Sequence, residues 1–124
     1  MYDKEVITDL FDNILWALEK IDGRFKPINT ADDFLNSDDG LEKLDSICMQ
    51  LINIGEAVKR IDKITNKNLL RRYPNIKWKE IMGMRDIITH HYFDIDAETV
   101  FTVCEKHAPD LYTTITKIRK DTEK

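Results

Sequence analysis

The sequence predicts an all-α protein, an antiparallel bundle of four to five helices. Three observations carry that prediction. Apolar residues recur at three- and four-residue steps over long stretches, which places them on one face of a helix. Four glycines and three prolines in 124 residues are too few for the many tight turns of an all-β chain. No stretch alternates apolar and polar residues long enough to demand a strand. Amphipathic helices joined by loops bury their stripes against one another, and a bundle is the simplest result.

Asp3 is placed to cap a first helix running to about Ile21. Its stripe is Val6, Ile7, Leu10, Phe11, Ile14, Leu15 and Leu18, with Trp16 widening it or lying at its edge. Gly23 is expected to end this helix, and residues 24–40 to form a loop with one short turn after Thr30. A second long helix is predicted from about Leu41 to Ile64. Leu41, Leu44, Ile47, Cys48, Leu51, Ile52, Ile54, Val58 and Ile61 form its apolar face. Gly55 inside it costs about 1 kcal/mol relative to alanine and permits close approach of a helix or a ligand, packing being the simpler reason. Glu56 follows, either solvated or an accessory group. Residues 66–73 suggest a short helical piece stopped by Pro74. A third long helix should start within NIKWKE and end near Tyr92 or Phe93, offering Trp78, Ile81, Met82, Ile87 and Ile88 to the core. Asp96 suits the N-cap of a last helix, which Pro109 must kink around residues 106–108. The tail IRKDTEK is expected to fray.

Composition narrows the function classes. Apolar residues make up 42% and charged residues 34%, as in a soluble globular protein, and the length fits one domain over residues 1–124. No apolar run reaches the roughly 20 residues of a membrane helix. The N-terminal segment MYDKEVITDLFDN is acidic and amphipathic, unlike a signal peptide, so a cytoplasmic location is expected. Cys48 and Cys104 have no metal-site spacing and read as small buried side chains. The net charge of −4 conceals an asymmetry. Residues 1–58 carry 5 Lys/Arg against 13 Asp/Glu, residues 59–85 carry 9 against 2, and residues 86–124 carry 5 against 8. The middle block is either a solvated face or an electropositive surface for phosphates leading to Arg85.

Chemistry concentrates in GMRDIITHHYFDID, residues 83–96. Arg85 and Tyr92, seven apart, share a helix face at about 100° per residue, whereas His90 lies about 140° from Arg85. Either the helix unwinds near His90 or a second subunit completes the site. Asp86, four residues before His90, is placed to hydrogen-bond it. These residue types suit cleavage of RNA. An imidazole with an ordinary pKa of about 6.5 takes the 2′-hydroxyl proton, and a guanidinium binds the phosphoryl oxygens as charge builds on them. No carboxylate cluster typical of metal nucleases is present, and no cofactor is expected. Taken alone, an Arg, a His and a Tyr on one helix are more often structural than catalytic.

Three segments add context: IGEAVKRI (54–61), YPNIKW (73–78) and GMRDIITHHYFDID (83–96). In this order and at these distances they resemble HepT-like toxins of the HEPN superfamily, and the resemblance spans essentially the whole chain. The RxxxxHxY motif reads Arg85, His90 and Tyr92, with Asp86 at the polar position after the arginine. The resemblance implies a homodimeric bundle whose two motifs face each other across a cleft. It implies metal-independent endoribonuclease activity as the toxin of a toxin-antitoxin pair, with Arg85 and His90 catalytic. The implied partner is a small nucleotidyltransferase antitoxin that transfers AMP to Tyr92. His91 falls at the variable motif position, solvent-exposed or supporting, and His107 beside Pro109 reads as structural. Two further hypotheses stand beside this one: a non-catalytic helical docking partner of the nucleotidyltransferase, and a nucleotide-binding regulator using the basic block.

Overall fold

A computed structural model describes residues 3–90 and 96–123, and at 89 and 90 the backbone alone. All regular structure among them is helical: α1 (Lys4–Phe25), α2 (Asp38–Ile64), α3 (Trp78–Met82), α4 (Met84–His90), α5 (Ala97–Thr102) and α6 (Ala108–Glu123). The predicted all-α bundle is therefore observed. α1 packs on α2 and α6, and α2 packs on α3 and α4.

Asp3 caps α1 as expected, its carboxylate accepting from the Glu5 and Val6 N–H groups. The helix does not stop at Gly23 but continues to Phe25. The reason is tertiary: the Phe25 ring packs against Phe34, at 6.4 Å between centroids, and edge-on against Phe101 at 5.0 Å. Trp16 lies at the edge of the stripe, half exposed, with Lys20 Nζ 5.4 Å from its ring centroid.

α2 begins at Asp38, earlier than the sequence suggested, because Ser37 Oγ accepts from the Gly40 N–H at 3.0 Å and caps the first turn. Gly40 is thereby inside the helix, pressed on the Ala31–Phe34 turn. A Cβ there would sit 2.1 Å from the Asp33 carbonyl oxygen. Leu41 stays partly exposed rather than joining the core. Behind Gly40, Leu44, Ile47, Leu51, Ile54, Val58 and Ile61 meet Ile7, Phe11, Ile14, Leu18 and Ile21 of α1 and Leu111, Ile115 and Ile118 of α6 in one apolar cluster.

The predicted third helix is two. It breaks at Gly83, between α3 and α4. The preceding segment YPNIKW straps α3 to the bundle: Tyr73 OH donates to Asp121 at 2.8 Å, Asn75 Nδ2 to Thr114 Oγ1 at 3.0 Å, and Trp78 Nε1 to the Tyr73 carbonyl at 2.9 Å. Residues 66–73 contribute only a 3-10 turn at Leu70–Arg72.

The last helix starts at Asp96 and carries a π turn over Val103–His107 before α6. Pro109 supplies no N–H and crowds the carbonyl four residues earlier, and the wider π turn accommodates both. The C-terminal segment does not fray but stays helical to Glu123. Arg119 Nε holds Asp12 of α1 at 2.6 Å, and Tyr112 OH donates to Glu19 at 3.1 Å, so α6 runs antiparallel to α1. Cys48 and Cys104 are buried and free, as expected. Burial pushes their thiols up to about 11 and about 12, with Asp45 adding to the first and Cys48 to the second.

The Asp96 carboxylate accepts from Thr99 Oγ1 at 2.8 Å and from the Thr99 and Glu98 N–H groups. These bonds, those of Thr99 foremost, hold its pKa below the ordinary carboxylate value. A carboxyl with a depressed folded-state pKa stabilises above its unfolded-state pKa and loses that contribution as pH falls through the folded value. Asp96→Ala should therefore melt below wild type at pH 7, and the gap should close as pH drops below about 4. Thermal melts followed by circular dichroism across that range measure it.

Candidate active site

Arg85 rises from the first turn of α4, just after the break at Gly83. What faces it is set by Gly55. A Cβ at Gly55 would lie 2.5 Å from the Ile81 carbonyl oxygen and 3.5 Å from Met84 Cβ, so only a glycine lets α2 and the α3–α4 junction come this close. The next residue on α2 is Glu56, whose Oε1 accepts from Arg85 Nη1 at 2.8 Å. The sequence left Glu56 between solvation and an accessory role; the fold brings it to the motif arginine across 29 positions. The pair is open to solvent, with the Arg85 side chain 61% and the Glu56 side chain 38% exposed. An ion pair this exposed contributes about 0–1 kcal/mol to stability. Its effect is to aim the guanidinium rather than to hold the bundle together. Asp86 is exposed in the same turn of α4.

His90 is the last described residue of α4, whose backbone stays helical from Met84. No unwinding occurs between Arg85 and His90, so the two positions remain about 140° apart around the axis. Of the two ways the sequence offered to reconcile them, unwinding within this span is not what the backbone does. His91 and Tyr92 lie outside the described residues, as does the predicted end of the helix near Tyr92 or Phe93.

Ile87, expected in the core, is 54% exposed on α4 two residues beyond Arg85. It borders a groove of ≈730 Å³ between α4 and α5, floored by Leu51, Met84, Ile88 and Val100. His107, read as structural, is exposed and lines the same groove. Among the described residues no group of three or more His, Cys, Asp or Glu side chains is placed to hold a metal ion. No helix among them is long and apolar enough to cross a membrane.

The site missed by a reading of sequence alone is the pairing itself. The signal was the Gly55–Glu56 dipeptide on the apolar side of α2, where a glycine costs helix stability unless a neighbour needs the space.

The model of the family described as "Ribonuclease HepT-like" matches residues 14–118. An inferred RNase of Methanocaldococcus jannaschii, MJ0127, is 32% identical over 123 residues, covering 99% of this chain and 94% of that protein. A second from the same organism, MJ0125, is 40% identical over 76 residues, covering 61% of this chain and 60% of its own length. The "Probable ribonuclease HepT" of Thermococcus cleftensis is 34% identical over 67 residues, 54% of this chain and 57% of that protein. Matches to the latter two thus span under two thirds of those relatives. No solved structure matches the chain.

Proposed function

The chain belongs to the HepT-like ribonuclease family, and from that premise we propose that it is a metal-independent endoribonuclease, the toxin of a toxin-antitoxin pair. The observation that carries the reading is the exposed Arg85 guanidinium, held by Glu56 of α2 and standing on the helix that also carries His90. In this mechanism His90 removes the proton from a 2′-hydroxyl. The O2′–P bond forms as the P–O5′ bond breaks, and a proton passes to the departing 5′-oxygen. Arg85 binds the non-bridging oxygens, where negative charge grows in the transition state.

Two copies complete the site. Positions about 140° apart on one straight helix do not converge on a single phosphate, whereas two α4 helices facing across a two-fold axis pool their side chains. The exposed Ile87 beside Arg85 supports contact between copies along this helix. Incubating the purified protein with RNA in EDTA tests the activity. Products ending in 2′,3′-cyclic phosphate are expected, and intact RNA at every protein concentration would leave the docking-subunit reading in its place. The Arg85–Glu56 pair adds a graded prediction. Glu56→Gln should lower kcat/KM on RNA by roughly 3- to 10-fold, since it loosens the guanidinium without removing it, and should leave Tm within a few degrees.

Regulation follows from the motif tyrosine. Tyr92 lies seven residues after Arg85, and AMP joined to its hydroxyl would bring a phosphate to the arginine that serves the substrate. Co-expression with a neighbouring small nucleotidyltransferase should add one or more AMP units to the peptide containing Tyr92, read by mass spectrometry. An unmodified peptide removes this regulation and leaves the nuclease standing.

A further inference from the structure

The Arg85–Glu56 pair has a basic neighbour that the chemistry above does not use. One turn further along α2 from Glu56 is Lys59, and one turn before Arg85 on α3 is Met82. Both line a shallow pocket of ≈500 Å³ completed by Asp62, Lys63, Asn66 and Lys67. The two helices run antiparallel here, Glu56 meeting Arg85 and Gly55 meeting Ile81, so the pocket lies about one helical turn beyond the pair. Lys59 and Lys63 are four apart, which stacks them on one face of α2 about 6 Å apart along the axis. Lys67 reaches the same pocket because the chain turns back after α2. Asn66 and Lys67 take φ of 52° and 62°, and the Lys67 N–H donates to the Asp62 carbonyl at 2.8 Å. Asparagine tolerates that left-handed backbone, but lysine occupies it at a cost of about 1–2 kcal/mol. The result is a third ammonium beside the other two.

All three lysines are exposed. Among the described residues none of them enters an ion pair, and the one carboxylate in the pocket, Asp62, is half-buried. None of the residues that line the pocket is aromatic, so the recognition here is of charge and not of base.

We infer that Lys59, Lys63 and Lys67 form a subsite for the RNA phosphate backbone, holding the nucleotides that continue beyond the phosphodiester at Arg85. The inference rests on the ribonuclease reading and adds a direction to it: substrate leaves the site along the C-terminal half of α2. A subsite of this kind contributes to binding of a long strand and not to the chemical step. Each phosphate neutralised on a single strand contributes about 0.7 to the slope of log K against log salt concentration.

The test compares wild type with the triple variant Lys59→Ala, Lys63→Ala, Lys67→Ala. A control triple, Lys4→Ala, Lys26→Ala, Lys120→Ala, removes the same charge from other exposed positions. The binding probe is a fluorescent 12-nucleotide 2′-O-methyl RNA, which cannot be cut by its own 2′-oxygen. Fluorescence anisotropy across salt concentrations should show at least tenfold weaker binding for the pocket variant and a salt slope smaller by about 2. Cleavage of a 12-nucleotide RNA should show raised KM with kcat unchanged, while cleavage of a dinucleoside monophosphate, too short to reach the pocket, should match wild type. Equal affinity and slope for the pocket and control triples would overturn the subsite and leave the nuclease intact. Loss of dinucleotide cleavage would overturn it as well, by placing the lysines in the chemistry. Wild type that neither binds nor cuts any RNA would sink the subsite together with the ribonuclease reading, and is the one result that removes both.

Discussion

Arg85→Ala and His90→Ala should each lower kcat/KM for RNA cleavage in EDTA by at least about 100-fold. Removing a preorganised group that stabilises transition-state charge costs on the order of 10²–10³ in rate, and removing a positioned general base about 10²–10⁴. Stability should barely move in the arginine variant. The exposed pair with Glu56 contributes about 0–1 kcal/mol, so Tm should stay within a few degrees of wild type. That separation between a large kinetic loss and a small thermal one distinguishes a catalytic arginine from a structural one.

The same two variants test whether the site spans two chains. In a random mixture of Arg85→Ala and His90→Ala subunits, half of the dimers are mixed. Each mixed dimer keeps one site with an intact arginine from one copy and an intact histidine from the other. About a quarter of wild-type activity should return if the site is shared across the two-fold. A site built within one chain would regain nothing on mixing. A wild-type rate for either variant alone would remove the substituted residue from the mechanism.

Gly55→Ala should disturb the site from outside the motif. Helix propensity alone favours alanine by about 1 kcal/mol. The added Cβ would meet the Ile81 carbonyl oxygen at 2.5 Å, which is backbone and cannot rotate aside. α3 must then move off α2, and overpacking of this kind costs about 1–3 kcal/mol. A Tm lower by roughly 5 °C is expected, with at least tenfold less RNA cleavage, because Ile81 is one turn before Arg85. Gly23→Ala is the matched control. Nothing lies within 4 Å of a Cβ there, and α1 is helical around it, so this change should raise Tm by a few degrees. If both substitutions stabilise, the contact between Gly55 and Ile81 does not govern the geometry of the site.

Much of this was legible in the chain before any coordinates. The three- and four-residue spacing of Ile7, Leu10, Phe11, Ile14 and Leu18 predicts the buried face of α1, and Asp3 and Asp96 predict the two caps that are observed. Such features depend on neighbours within one helical turn, so local pattern suffices. The Arg85, His90 and Tyr92 spacing was equally local, and so was the disturbance before Pro109.

Elsewhere the local signal lost to contacts between distant residues. Gly23 reads as a stop, yet α1 continues because Phe25 finds Phe34 and Phe101. The helix through Ile81 and Ile87 looks continuous, yet it breaks at Gly83 where the Ile81 carbonyl meets Gly55. The polar tail looks free, yet Asp12 and Tyr73 hold Arg119 and Asp121 in a helix. The helices, their caps, the buried stripes and the family of the motif are thus written into short stretches of the chain. That Glu56 holds Arg85, that Ile87 faces outward and that three lysines line one pocket a turn beyond the pair came from packing between distant segments. Those outcomes are set by how closely α2 can approach the chain around Gly83, a distance that no local pattern encodes.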